Sequence, residues 1–226
     1  MNLLALETST HHLSVALLVG DACLTRSERL ANGGSDRLLP WVQSLLAEGG
    51  LTLRQLDGIA FGAGPGAFTG LRLACGATQG LAFGADLPVV GVCTLEAVAF
   101  NAGADRVFAC LDARMNEVYV AAYVREAPAE YRCLVPPAVM PPEMVSAPEG
   151  AWHAAGDGFA AYASVLQSRF AVTDDAVLPT AEAVARLAVP RFARGEGQPA
   201  IAAAPLYVRD KVALTTAERL ARGGVR

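Results

Sequence analysis

Nine residues, Gly62-Ala63-Gly64-Pro65-Gly66-Ala67-Phe68-Thr69-Gly70, restrict the fold of this chain more than any other stretch. They separate a predicted strand, Asp57 to Phe61, from a predicted helix, Thr69 to Gly84. Glycines let one backbone approach another, or a ligand, closely, and Pro65 stiffens the turn. A loop that opens into a helix also presents unpaired N–H groups and the positive end of a dipole, which favours an anion. The same glycines suit a tight strand-to-helix crossover that holds no ligand, and their spacing alone leaves both readings open.

Around this loop the pattern reads as α/β. Leu3 to Glu7 is a buried strand ending in Thr8-Ser9-Thr10. His12 to Val19 and Ala22 to Arg29 read as two more strands joined by the turn Gly20-Asp21. Asn32-Gly33-Gly34 breaks the pattern, and Ser35 is placed to cap a helix whose apolar positions Leu38, Leu39, Trp41, Val42, Leu45 and Leu46 follow helical spacing until Gly49-Gly50. Thr52 to Gln55 has capping-box form. The glycine loop, its helix and a strand from Pro88 to Val92 complete a β-β-β-α-β-α-β order, and a helix from about Leu95 to Asn101 follows. Beyond the hinge Asn101 to Asp105, three strands follow at Arg106–Leu111, Glu117–Val124 and Tyr131–Val135. A proline-rich connector is predicted from Pro136 to Pro142 and leads to a short helix. A strand at Ala151–Ala155 comes next, then helices at Phe159–Arg169 and Pro179–Arg194, with Pro190 a kink or an end. The second half repeats the order of the first without repeating its sequence. The expected lobes are 1–102 and 103–226, with the tail 199–226, helical at Thr216–Arg222, folding back on either lobe.

Composition narrows the function. The chain has 226 residues, 53% hydrophobic and 18% charged, which suits a packed core and excludes disorder. No apolar run approaches the ~18 residues of a membrane span. The opening Met1-Asn2-Leu3-Leu4-Ala5-Leu6-Glu7 lacks a basic segment, so a cytoplasmic protein is expected. Cys23, Cys75, Cys93, Cys110 and Cys133 are odd in number and without a C-x-x-C pair, and read as reduced, mostly buried side chains. The formal net charge of −4 argues against a surface that is basic throughout. From Arg186 onward, however, eight basic residues face three acidic ones, a net +5 that leaves −9 on the remainder. That segment reads either as solvated helix surface or as a docking edge for an acidic partner or RNA.

Catalytic groups are sparse. His11, His12 and His153 have no ligand spacing, and adjacent strand residues point to opposite faces, so no metal site is expected. Ser9 near His11 and His12 lacks a nucleophile-elbow context. Glu7 and Asp112 read as a facing carboxylate pair or as hydrogen-bonded strand ends. The helix after the glycine loop is apolar all round. Leu71, Cys75, Thr78 and Ala82 fall on one side of its wheel. Leu73, Ala77, Gly80, Leu81 and Gly84 fall on the other, with Gly76 at the margin, and this second side is the candidate interface.

Gly64-Pro65-Gly66-Ala67-Phe68-Thr69-Gly70-Leu71-Arg72 resembles the GPGSFTGLR signature of the TsaB (YeaZ) family, with Ala67 where serine is usual. Leu4 to Ser9, Gly91 to Ala97, Asp112 to Tyr119 and Ala204 to Arg209 resemble further blocks of that family in the same order. Gly33-Gly34-Ser35-Asp36 departs from its common histidine-serine-glutamate pattern. The resemblance implies a two-lobed actin-like (ASKHA, ribonuclease H-like) α/β fold, each lobe a mixed sheet with helices. It also implies a non-catalytic subunit, without a cofactor of its own, needed to form N6-threonylcarbamoyladenosine in tRNAs that read codons starting with A. The implied partners are a TsaD-type transferase, met through the first-lobe helices, and a TsaE-type ATPase, with a homodimer when alone and tRNA reached through the complex. Pairing through those helices adds Leu38, Trp41, Val42 and Leu45 to the interface candidates. Thr8, Ser9, Gly64, Gly66 and Thr69 are weak candidates for a nucleotide phosphate. On such a scaffold a phosphotransferase needs phosphate loops in both lobes, and Asp112-Ala113-Arg114-Met115-Asn116 has no glycine to wrap one. The metal-binding H-x-x-x-H of TsaD has no counterpart in Ser35 to Trp41. An actin-like phosphotransferase and a glycoprotease-like hydrolase remain the rival readings.

Overall fold

A computed structural model describes residues 1–30, 34–170 and 172–209. The strands are β1 (Asn2–Glu7), β2 (His12–Val19), β3 (Ala22–Arg29), β4 (Gly58–Gly64), β5 (Val89–Cys93), β6 (Arg106–Asp112), β7 (Val118–Ala127), β8 (Glu130–Met140), β9 (His153–Ala155) and β10 (Val172–Asp174). The helices are α1 (Gly34–Glu48), α2 (Phe68–Ala85), α3 (Thr94–Ala102), α4 (Gly158–Ala161), α5 (Ala163–Leu166) and α6 (Ala181–Ala193). Two five-stranded mixed sheets run β3-β2-β1-β4-β5 and β10-β9-β6-β7-β8. Read from its other edge, the second repeats the first: an antiparallel meander, then two parallel strands.

Alternation along β1 shows how the layers are built. Leu4 and Leu6 point to the face covered by α1 and α2, where they meet Leu38, Val42, Leu45 and Ala74. Leu3 and Ala5 point to the opposite face and meet Val184, Leu187 and Ala188 of α6. Sheet two is packed the same way, with Leu95 and Val98 of α3 on one face and Phe159 and Leu166 on the other. The last helix of each half therefore serves the other half: α3 packs on β6 and β7, while α6 packs on β1, β2 and β4. A cut near residue 102 separates the sheets but not the layers. The described tail also touches both halves. Gln198 bridges to Val89 of sheet one, and Arg209 reaches Ala113 and Glu117 of sheet two.

Several expectations need correction. The stretch predicted as a proline-rich connector is strand: β8 runs on to Met140. It is an edge strand, and Pro136 and Pro137 sit where its register against β7 slips, so the missing N–H groups break no regular ladder. The predicted helix 159–169 is broken at Tyr162 (φ −126°, ψ 42°) into α4, α5 and a 3-10 turn. Strand β10 was not anticipated. Pro190 does not end α6, which continues to Ala193. Ser35 lies inside the first turn of α1 rather than capping it. At Thr52, by contrast, the expected capping box is present, the Gln55 side chain accepting from the Thr52 N–H at 2.9 Å. The predicted helix Thr216–Arg222 lies outside the described residues.

Candidate functional site

The end of β1, the glycine loop, the β6–β7 hairpin and the turn after β9 converge on a cleft between the halves. The glycines of the loop are filled by the chain itself. A Cβ on Gly62 would stand 1.9 Å from Glu7 Oε2, one on Gly66 2.5 Å from the Ser9 carbonyl oxygen, and one on Gly70 1.9 Å from the Thr8 carbonyl oxygen. Thr8 Oγ1 donates to the Gly70 carbonyl at 2.6 Å, and the Ala67 N–H donates to the Ser9 carbonyl at 2.7 Å. Gly64 (φ +118°) lies under the Leu206 carbonyl. The glycines thus let residues 7–9 lie directly on the loop. Of the phosphate candidates, Thr8 and Gly64 are spent on these contacts and Gly66 is pressed against Ser9. Thr69 is exposed, and the Ser9 hydroxyl is buried without a partner among the described residues.

Beside the glycine loop, within the first half, a cavity of about 340 Å³ is lined by Thr8, Thr10, His11, Ser35, Thr69 and Gly70; between the halves the open space is smaller. Ser9, His11, Gly66, Asp112, Arg114 and Asp157 line a cavity of about 90 Å³, well below the roughly 300 Å³ at which ligand pockets begin. A second cavity of about 170 Å³ lies between Pro65, Phe68, Leu71, Tyr119 and residues 206–209.

Both carboxylates are hydrogen-bonded strand ends. Glu7 is fully buried, and its Oε1 accepts from the Ser9 N–H at 2.6 Å. Burial pushes its pKa up, only partly offset by hydrogen bonds from Ser9 and Thr8. Asp112 accepts from the Arg114 N–H at 2.8 Å and pairs with the Arg114 side chain at 3.2 Å. The β6–β7 hairpin that follows Asp112 holds Arg114, Met115 and Asn116 all at φ near +58°. The absence of glycine therefore did not prevent a left-handed turn.

Sequence reasoning missed Asp157 and Tyr162. Asp157 Oδ1 accepts from the Asp112 N–H at 3.0 Å, and its Oδ2 lies 4.0 Å from His11 Nδ1 across the cleft. Burial raises the Asp157 pKa, against the hydrogen bond from Asp112 and the charge of His11. The Tyr162 hydroxyl lies 3.5 Å from Asp112 Oδ1. Gly156-Asp157-Gly158 was the available signal: a Cβ at Gly156 would meet the Cys110 carbonyl at 2.1 Å, so the glycines let this turn sit on β6. His12 is drawn below its usual pKa by burial first and by His11 second. No three His, Cys, Asp or Glu side chains come together as metal ligands among the described residues.

Helix α2 divides as its wheel predicts. Leu71, Cys75, Thr78 and Ala82 are buried. Leu73, Ala77 and Leu81 are half-buried, Gly76, Gly80 and Gly84 are exposed, and Phe83 is 86% exposed. A Cβ at Gly76, Gly80 or Gly84 would meet nothing within 4 Å. In α1 the interface assignment fails for Leu38, Val42 and Leu45, which face the core of sheet one, while Trp41 is half-buried. The described part of the basic segment is neutralised: Arg186 pairs with Glu182, Arg191 with Glu96, Arg194 with Glu130 and Glu196, and Arg209 with Glu117. Its remaining basic residues lie outside the described region.

A family model described as TsaD, tRNA N6-adenosine threonylcarbamoyltransferase, matches residues 28–213. The "tRNA threonylcarbamoyladenosine biosynthesis protein TsaB" of Escherichia coli K12 is 37% identical over 94% of this chain and 96% of its own. Its namesake from Haemophilus influenzae is 38% identical over 94% and 95%. The solved structure "YeaZ from Pseudomonas aeruginosa" is 44% identical, superposes with a TM-score of 0.86 and covers 91% of this chain and 99% of its own. On the length, identity and fold shared with these proteins, the chain belongs to the TsaB (YeaZ) family.

Proposed function

We propose that this chain serves the formation of threonylcarbamoyladenosine in tRNA as a non-catalytic subunit that docks a TsaD-type transferase. The relatives' name supplies the pathway. The subunit role is supported by how the cleft is filled: the glycines that would cradle a ligand are occupied by Glu7, Thr8 and Ser9, and where the loop meets the second half only a cavity of about 90 Å³ is left. The outer face of α2 supports docking, because small residues there admit a second helix and Phe83 offers an apolar anchor. In this reading the chain works in the cytoplasm and self-associates through the same face when alone. A TsaE-type ATPase joins the pair, and tRNA is met through the complex.

The test is reconstitution. TsaC-, TsaD- and TsaE-type proteins with ATP, threonine, bicarbonate and a tRNA reading an A-starting codon should yield the modified nucleoside, by mass spectrometry, only when this chain is added. Full yield without it removes the subunit reading. Modification by this chain with the TsaC-type protein alone would make it the transferase.

A further inference from the structure

Residues 203–209 cross the cleft mouth from one half of the molecule to the other, and the two ends of that crossing are held differently. On the first half the hold is distributed. The Ala203 carbonyl accepts from Gln79 Nε2 at 2.8 Å and Cys75 Sγ at 3.1 Å. The Leu206 N–H donates to the Ala63 carbonyl at 2.7 Å, and Arg72 Nε donates to the Tyr207 hydroxyl at 3.3 Å. On the second half the polar hold among the described residues is one side chain. Arg209 Nη2 donates to the Ala113 carbonyl at 3.0 Å and to Glu117 Oε2 at 2.5 Å, with its guanidinium 5.8 Å from the Tyr119 ring centroid.

Val208 rests on the apolar core of sheet two and Tyr207 lies beside Phe68, but the rest of the crossing spans a void. The 170 Å³ cavity is roofed by Leu206, Tyr207, Val208 and Arg209 and floored by Pro65 and Leu71. Atoms that face a void lose their dispersion partners on that side, so this segment is seated less firmly than a packed one. The cavity shares Gly66, Ala67, Ala113, Arg114 and Tyr119 with the smaller cleft cavity. We infer that residues 203–209 are a releasable strap, clasped by the Arg209–Glu117 ion pair, and that lifting its Arg209 end joins the two cavities into one groove between the glycine loop and the β6–β7 hairpin. The device depends on this chain alone and does not require the subunit reading.

Amide hydrogen exchange and hydroxyl-radical footprinting of the full chain test it, with Arg209→Gln and Glu117→Gln. The Leu206 amide reports the strap, and Tyr119, 8% exposed beneath Arg209, reports the groove. Each variant should speed Leu206 exchange about tenfold, as expected for losing one charge-assisted hydrogen bond, and raise Tyr119 labelling. The Leu4 and Leu6 amides of β1 should not change. Exchanging the charges, Arg209→Glu with Glu117→Arg, should restore protection. Unchanged Leu206 exchange and Tyr119 labelling in both single variants would overturn the clasp. Equal acceleration at Leu4 and Leu6 would also overturn the strap, because the pair would then support the whole fold instead.

Discussion

Glu7 is a fully buried carboxyl group with little support for a charge. Its Oε1 has the Ser9 amide, but Oε2 is buried against Gly62 without a donor among the described residues. The folded-state pKa is raised above the ordinary glutamate value of 4.5, so the folded protein binds the Glu7 proton more tightly than the unfolded chain does. That contribution to stability is complete below pH 4.5 and is lost as pH rises through the folded pKa. Glu7→Gln keeps the acceptor for Ser9 and removes the buried charge. It should raise stability by about 1 kcal/mol near pH 8, with the gain shrinking as pH falls towards 4.5. Urea denaturation at a series of pH values checks this, and a gain independent of pH would mean that folding does not raise the Glu7 pKa. The loop facing Glu7 was legible in the sequence as a strand-to-helix turn of unusual closeness. What fills it was not, because the Thr8–Gly70 hydrogen bond joins residues 62 apart in the chain, and glycine spacing says nothing about the identity of the partner.

At the scale of the element, α2 shows what periodicity can and cannot deliver. Its wheel grouped Leu71, Cys75, Thr78 and Ala82, all buried, apart from a side where Gly76, Gly80 and Gly84 are exposed and Leu73, Ala77 and Leu81 half-buried, because burial on a helix follows from angle. In α1 the same arithmetic gave an apolar stripe, and the family resemblance assigned that stripe outward. Leu38, Val42 and Leu45 instead supply the cover that sheet one needs, a need visible only once the sheet is assembled. The open face of α2 yields paired expectations at Gly80. In the monomer Gly80→Ala should stabilise by about 0.5–1 kcal/mol, since an exposed mid-helix glycine costs that much relative to alanine. Gly80→Arg should leave the monomer folded, since nothing lies within 4 Å of a Cβ at that position, yet weaken association with a TsaD-type protein or a second copy. Thermal denaturation and sedimentation separate the two effects. Unchanged association in Gly80→Arg would place the docking surface elsewhere.

Across the whole molecule, the repeated order of strands and helices was readable, and so was the division into two sheets, because each run of elements carries its own local pattern. The exchange of last helices was not. Whether α3 covers its own sheet or the next depends on the apolar faces both sheets present, and α6 makes the reciprocal choice. The two helices meet at Glu96 and Arg191, where Arg191 Nη2 lies 2.7 and 2.6 Å from the two carboxylate oxygens and Nη1 reaches the Gly91 carbonyl at 3.2 Å. The side chains are only 9% and 23% exposed, so solvent screens this pair far less than a surface pair such as Arg26–Glu48. It joins a helix seated on sheet one to a helix seated on sheet two. Arg191→Leu strands the Glu96 carboxylate and should cost about 2–4 kcal/mol by urea denaturation. Adding Glu96→Leu should recover much of that loss, because it removes the stranded charge. A cost for Arg191→Leu no larger than that for Arg26→Leu, under about 1 kcal/mol, would show that the α3–α6 layer is held by its apolar contacts alone.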